Sequence, residues 1–390
     1  MDDHVDKIME KIGTQTTGTK IVGIHGTGEH WYGRGSKVII TTRNEEVLKD
    51  VDFKYKLTEM DFNHSLLLFS KHVFRRDHPP AEYVSLSKKV IEICGHLPLA
   101  LAIIGSSLVG EDPNFWVAKL EKLKTIPEPK VKSKLSISLE ALEPPKMEIF
   151  LDVCCFFVGF DMRTVTYMWA NRKLFPEYSL EVLKRKSLMK IVEGNRLWMH
   201  DQLRDLGRDI VHERAHFKLE KQSRVWDHEE SIDVLEIKEG RENVEAICLR
   251  FDSQFEDFIE KEEFISLSKL RFLQVDCVDL DENNGQHFPS TNWAQRNPIM
   301  LPSLRWLSWH NFPVCFKFTA RSLKKLVILD LSRSEITNEW EGWKQLKMAK
   351  SLKVLNLTRC KNLHRTPDFS AHKNLEQLIL QGCTEMVEVP

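Results

Sequence analysis

The residues whose types could do chemistry first gather between Lys20 and Asn44, in "KIVGIHGTGEHWYGRGSKVIITTRN". A short apolar run leads into Gly23, Gly26 and Gly28, as a strand leads into a loop whose backbone amides cradle phosphate. Such a loop reads G-x-x-x-x-G-K-[ST]. Counted from Gly23, Gly28 fills the second glycine slot, and Glu29 and His30 stand where the lysine and hydroxyl belong. Phosphoryl transfer rests on positioning and on charge neutralisation by loop amides, a lysine and Mg²⁺. A glutamate at that slot repels phosphate, so the spacing argues against independent ATP hydrolysis. The nearest lysines, Lys20 and Lys37, fall at expected strand starts, away from any helix N-terminus. Metal chemistry has no seat either. The eight cysteines form no C-x-x-C pair, and adjacent Cys154 and Cys155 sit inside an apolar run as buried thiols. No metal is expected.

The elements that must position these residues change along the chain. "KIVGIH" and "SKVIITT" are short β-branched runs, read as strands of a buried parallel sheet. They are joined by too few residues for the usual crossover helix. From Asp61, a candidate N-cap, the pattern is helical, with Leu66, Leu67, Phe69, Val73 and Phe74 apolar. Val90, Ile91 and Cys94 share a face before a break at Gly95, and a new helix is expected from Pro98. "SLMKIVEGNRLWMH" predicts a hairpin around Glu193-Gly194-Asn195, followed by a helix with Leu203, Leu206 and Ile210 on one side. Helices, then a hairpin, then a helix spell a winged-helix module.

The last third repeats. "LRFLQV" from Leu270, "LRWLSW" from Leu304, "LVILDL" from Leu326, "LKVLNL" from Leu352 and "LEQLIL" from Leu375 align as L-x-x-L-x-L. The last three begin 26 and 23 residues apart, within the leucine-rich-repeat range. Cys360 and Cys383 then occupy the buried Asn/Cys position under the turn rather than a metal or disulfide site. The final residues, "VEVP", fall inside a repeat, which reads as a truncated C-terminus.

A formal net charge of -1 gives no bulk attraction to polyanions, while 42% hydrophobic residues suffice for real cores. The charged start lacks an apolar signal core, and the strongest apolar run, around "FLDVCCFFVGF", carries Asp152 and is too short to span a bilayer. With reduced thiols, these features place the chain in the cytoplasm or nucleus.

"VGIHGTGE", "GSKVIITTRN", "CGHLPLALAIIGSSL", "IFLDVCCFFVGFD", "WMHDQLRDLGRDIV" and the repeats, in that order, resemble the plant nucleotide-binding (NB-ARC) leucine-rich-repeat immune receptors. The wording is similar to the subclass whose full-length members begin with a TIR domain. The resemblance implies a multidomain α/β architecture. A remnant parallel-sheet nucleotide-binding core would span residues 1–60, an NB-ARC helical domain 61–131, a winged helix 132–232 and a leucine-rich-repeat solenoid 233–390. It departs from the family in lacking the rest of the phosphate loop, the Walker B strand and any TIR domain before Met1, as though a block were deleted after Gly28. Position by position, it implies that Gly26 and Gly28 begin the phosphate loop and that Arg43 is the sensor arginine. Pro98 packs near adenine, and His200 with Asp201 is the pair whose histidine reaches the ADP β-phosphate. Read without the match, His200 is a cap or packed ring at a strand-to-helix junction, and Pro98 a first-turn proline. ADP binding is expected to be weak at most.

In L-x-x-L-x-L the leucines point inward and the alternating residues face the concave side. That nominates Phe272, Trp306, Ile328, Asp330, Asn356 and Gln377 for protein contact, alongside Gln274, Ser308, Val354 and Ile379. Phe272 and Trp306 would form an exposed apolar patch, unless the winged helix covers them. Nucleic acid is not an expected partner. Arg204, Arg208 and Arg214 on the helix after the hairpin alternate with Asp201, Asp205, Asp209 and Glu213. The expected function is therefore that of a truncated, non-enzymatic, immune-receptor-like protein. Its partners would be proteins: a pathogen effector, a guarded host protein or another receptor chain. The competing expectation is an ADP/ATP-gated switch, completed by a partner chain or encoded intact by a correctly spliced transcript. A decayed product without a role is the third.

Overall fold

The computed structural model describes residues 20–21, 37–38, 42 and 48, then 60–125, 129–140, 142–170, 173–237, 239–252, 267–278, 301–314 and 316–387. Near the start, β1 (Lys20–Ile21) and β2 (Lys37–Val38) pair in parallel, with Lys20 opposite Lys37. This is the pairing direction expected of the two β-branched runs. Gly26, Gly28 and Arg43 lie outside the described residues.

Helices follow where caps and prolines allow them to start. α1 (Phe62–Phe74) begins at Asp61, whose carboxylate accepts from the His64 amide at 2.8 Å. α2 (Val84–Cys94) stops at Gly95, in the left-handed region at φ +55°. α3 (Pro98–Ser106) opens with Pro98 in its first turn, where the missing N–H has no intrahelical partner to lose. α4 (Pro113–Thr125), α5 (Pro129–Glu140) and α6 (Pro144–Asp152) also begin with proline. Next come a π-helical turn (Val153–Phe157), α7 (Met162–Trp169) capped by Asp161, and α8 (Pro176–Arg185).

The expected hairpin is present. β3 (Lys190–Val192) pairs antiparallel with β4 (Arg196–Trp198), Ile191 opposite Leu197, around Gly194 at φ +74° and Asn195 at φ +59°. α9 (Asp201–Arg214) follows. Then come β5 (Arg224–Val225), α10 (His228–Glu236), β6 (Ala246–Asp252), β7 (Phe272–Val278) and β8 (Trp306–Trp309). The described chain ends with α11 (Ala320–Lys324), β9 (Ile328–Asp330), α12 (Gly342–Leu346), β10 (Val354–Asn356) and β11 (Gln377–Ile379).

Two compact units result. The first holds residues 1–154 and 176–209, the second 155–175 and 210–390. In the first, Phe69 and Trp116 are fully buried and meet edge to face at 5.9 Å, and Val90, Ile91 and Cys94 are buried on the face their spacing predicted. Cys154 packs under Gly207 and lies 3.3 Å from the Met199 sulfur.

The second unit is organised by a parallel sheet of β5 to β11, each strand beside the next in sequence. The leucines stack in register: Leu273 against Leu307, Leu307 against Leu329, Leu329 against Leu355 and Leu355 against Leu378. Leu329, Leu331, Leu355 and Leu357 are fully buried. Cys360 donates its thiol to the Leu331 carbonyl at 3.4 Å, and Cys383 to that of Leu357 at 3.1 Å. Each thiol thus ties its turn to the preceding repeat; Cys360 is buried as its place in the period predicted, and Cys383 is half-buried.

Candidate functional site

Two groups of expected site residues fall within the described chain, one in each unit. In the first unit, His200 stands just after β4 and just before α9. Its Nε2 donates to the Gly95 carbonyl at 2.7 Å, and its Nδ1 accepts from the Gln202 amide at 3.2 Å. Both ring nitrogens are therefore engaged, in the tautomer protonated at Nε2. One bond caps α9 and the other reaches the end of α2. The buried Gln202 side chain repeats the reach, its Nε2 donating to the Ile93 carbonyl at 2.7 Å. The Ile93 carbonyl, late in α2 and without an intrahelical partner, and that of the C-cap Gly95 are thus satisfied from one distant turn.

Gly95 serves this corner in two ways. Its φ of +55° suits glycine, and a Cβ there would lie 2.7 Å from His200 Cε1. Pro98 begins α3 three residues after Gly95, the residue His200 bonds. Asp201 turns the other way, accepting from Arg204 NH1 at 2.9 Å on an exposed helix face. Sequence reasoning missed Gln202. Its only local signal is an amide side chain on the first turn of a helix that begins at a histidine cap.

In the second unit the exposed contact surface expected at three positions must be corrected, and for the two rings the alternative of intramolecular cover holds. Phe272, Trp306 and Ile328 are not exposed; they retain 1%, 3% and 1% of their accessible surface. The cause is a segment of the same unit. Phe157 stacks on Trp306 at 5.2 Å and 15°, and meets Phe272 at 5.1 Å. Phe156 and Phe160 extend the cluster. Polar bonds fix it in place. The Arg305 guanidinium donates to the Met168 and Tyr167 carbonyls at 2.8 and 2.9 Å, capping α7. The Tyr167 hydroxyl donates to Glu376, and Lys353 lies 4.5 Å over the Tyr167 ring while pairing with Glu376. These rings are intramolecular packing.

Asp330 and Asn356 are half-buried and bonded to neighbouring repeats. Asn356 Nδ2 donates to Asp330 Oδ2 at 2.9 Å, and the Ser332 amide to Asp330 Oδ1 at 3.0 Å. Asn356 Oδ1 in turn accepts from the Thr358 amide and hydroxyl. His310, which the repeat pattern did not single out, sits between two carboxylates, 3.0 Å from Asp276 and 3.9 Å from Asp330. The Asp276 carboxylate beside it, and then that of Asp330, raise its pKa to about 9. Burial pushes the two carboxyls up most, but His310 together with Gln274 and Arg250 at Asp276, and with Ser332 at Asp330, holds both below the usual range. Gln377 is half-exposed on β11. Among the described residues, no group of three His, Cys, Asp or Glu side chains could hold a metal ion, and no helix is long and apolar enough to cross a membrane.

Residues 143–215 match the family model "Disease resistance protein Roq1-like, winged-helix domain". The chain is 32% identical over 377 residues to "Disease resistance protein RUN1" of Vitis rotundifolia, covering 92% of this chain and 28% of that protein. It is 31% identical to "TMV resistance protein N" of Nicotiana glutinosa, over 92% of this chain and 30% of that one. "Disease resistance protein RML1B" of Arabidopsis thaliana is 30% identical over the whole chain and 37% of its own length. The chain thus spans about a third of these relatives.

Proposed function

We infer function from one premise: the chain belongs to the family of plant disease resistance proteins, which it matches over 92% of its length or more. From it we propose an innate-immunity receptor-like protein that acts by binding other proteins and does not hydrolyse ATP. The carrying observation is the ordered succession of family modules beside a glycine loop with Glu29 in the lysine slot. The stacked parallel strands support reading residues 233–390 as a leucine-rich-repeat solenoid, with one strand per period and a thiol under each of two turns. With Phe272, Trp306 and Ile328 covered, the proposed partner surface is the remaining face of β9 to β11, where Gln377 is half-exposed. A cytoplasmic or nuclear setting suits it.

Co-expression in leaf tissue with a full-length relative tests this. The chain should alter the cell-death response of that receptor, and the purified chain should release no phosphate from ATP above a protein-free blank. An unchanged response at equal accumulation removes the receptor reading. Steady phosphate release removes the non-enzymatic one.

A second reading, residual ADP binding, is favoured by one observation: His200 bonds the Gly95 carbonyl, three residues before Pro98. Its test is stoichiometric ADP in the purified chain, lost on His200→Ala.

A further inference from the structure

Two buried oxygens near the entry to the parallel sheet lack a donor. Gln222 lies two residues before β5 and retains 2% of its accessible surface. Its Oε1 is buried without a hydrogen-bond partner among the described residues, and so is Oε2 of Glu230, in the first turn of α10. A buried acceptor left unmet carries its full desolvation cost. The other end of the Gln222 amide is engaged. Its Nε2 donates to Nδ1 of His212, in the last turn of α9, at 3.4 Å. The His212 ring meets that of Trp226 edge to face at 5.0 Å. Burial pushes the Glu230 carboxyl up, and Asp227 and Asp233 add to it against the pull of His212 and Gln222. The elements packed against α10 also bring Glu220 and Lys221 on the turn Leu219–Lys221, Arg224 on β5 and Arg250 on β6. Arg224 donates to Ser223 Oγ at 3.0 Å, and the Arg250 amide to His228 Nδ1 at 3.1 Å.

An acceptor becomes a donor when it takes a proton. Imidazole Nδ1 does so on forming imidazolium, and a carboxylate oxygen does so on forming the acid. A primary amide has a donor at one end and an acceptor at the other, in groups of nearly equal size, so it reverses without repacking its surroundings. We propose that His212, Gln222 and Glu230 form a proton-operated switch at the entry to the sheet, set by the direction of the Gln222 amide. With both neighbours deprotonated, Nε2 is the end they meet, and it is the end His212 meets in the structure. With one proton on His212 Nδ1 and another on Glu230 Oε2, the amide reverses and Oε1 accepts from both. Both protons come from solvent, and the only bonds formed are N–H and O–H. The two orphaned oxygens then satisfy each other. One proton alone leaves the amide facing one neighbour of the wrong kind, so the second proton follows the first and uptake is cooperative. The rival arrangement is a plain ion pair of imidazolium and ionised Glu230, in which charge attracts and the amide is a bystander.

The test is an NMR titration of the whole chain, isotope-labelled at histidine Cε1, across the carboxyl and imidazole ranges. The His212 signal is the one missing from His212→Asn. The expected result is a His212 curve steeper in the parent than a single-proton titration. Gln222→Leu removes the amide between the two groups and returns the curve to single-proton form. Glu230→Gln supplies an amide hydrogen at that position without taking a proton, so His212 no longer waits for a second one. Its curve there shifts to higher pH and loses its steepness. A parent curve no steeper than one proton overturns the proposal without any variant, and so does a curve that stays steep in Gln222→Leu. An unmoved or lowered curve in Glu230→Gln overturns it too, and a lowered one establishes the ion pair, since only the lost negative charge would then act.

Discussion

At the scale of the residue, the tightest positions are glycines and unpartnered hydroxyls. Gly207 lies inside α9, where alanine is normally favoured by about 1 kcal/mol. Here a Cβ would stand 2.2 Å from Cys154 Sγ and 2.8 Å from its Cβ, with Phe150 close behind. Overpacking of this kind costs about 1–3 kcal/mol, so Gly207→Ala should lower the urea midpoint despite its better helix propensity. A raised midpoint would show that Cys154 can move aside. Ser87 presents the opposite case. It is fully buried in the α1–α4 core, and its hydroxyl has no hydrogen-bond partner among the described residues. A buried unmade bond costs about 1–3 kcal/mol. Ser87→Ala should therefore be neutral or stabilising in the same assay, and a loss of more than about 1 kcal/mol would mean that the hydroxyl is satisfied.

At the scale of the element, the sheet carries a pH-dependent tie. His310, following β8, bridges Asp276 on β7 and Asp330 on β9. Its pKa rises from 6.5 to about 9 on folding. A raised value means that the unfolded chain loses this proton first. The contribution to stability is therefore fully present below pH 6.5 and is lost as pH rises through about 9. The two carboxyls are shifted down, so their contribution is present above pH 3.8 and fades as pH falls below it. Urea unfolding should thus show a decline in stability between pH 6.5 and 9 that His310→Gln flattens. Parallel slopes in both proteins would mean that the histidine is not the titrating group. The turns after the strands share another constraint. Gly382 sits at φ +73°, and a Cβ there would lie 3.0 Å from Arg359 Cγ. Gly382→Ala should destabilise the β10–β11 turn by about 1 kcal/mol or more, read as faster amide exchange at Arg359, whose N–H bonds to the Gln381 carbonyl.

At the scale of the molecule, two compact units should behave as separate energetic bodies. Phe69 and Phe157 are each buried to 1% exposure or less, the first in the unit of residues 1–154 and 176–209, the second in the unit of 155–175 and 210–390. Truncating a buried phenylalanine to alanine costs about 3–5 kcal/mol. Independent sites add to within about 0.5 kcal/mol. The double variant Phe69→Ala, Phe157→Ala should therefore lose the sum of the single losses. A coupling energy well beyond that margin would show that the two sites are not energetically independent.

What the sequence settled by itself is whatever a local pattern encodes. The period of L-x-x-L-x-L placed Leu329 and Leu355 inside and the thiols of Cys360 and Cys383 under their turns. Gly194-Asn195 announced the hairpin because few other residues accept positive φ, and Pro98 marked a helix start because proline fits only there. The covering of Phe272 and Trp306 by Phe157 could not be read this way. Alternation along a strand says which face a ring occupies, but not whether a distant segment lies on that face. Nor could the capture of His200 by Gly95, 105 residues away. A histidine's partner depends on which acceptor the fold brings within 3 Å, and that choice belongs to tertiary structure alone.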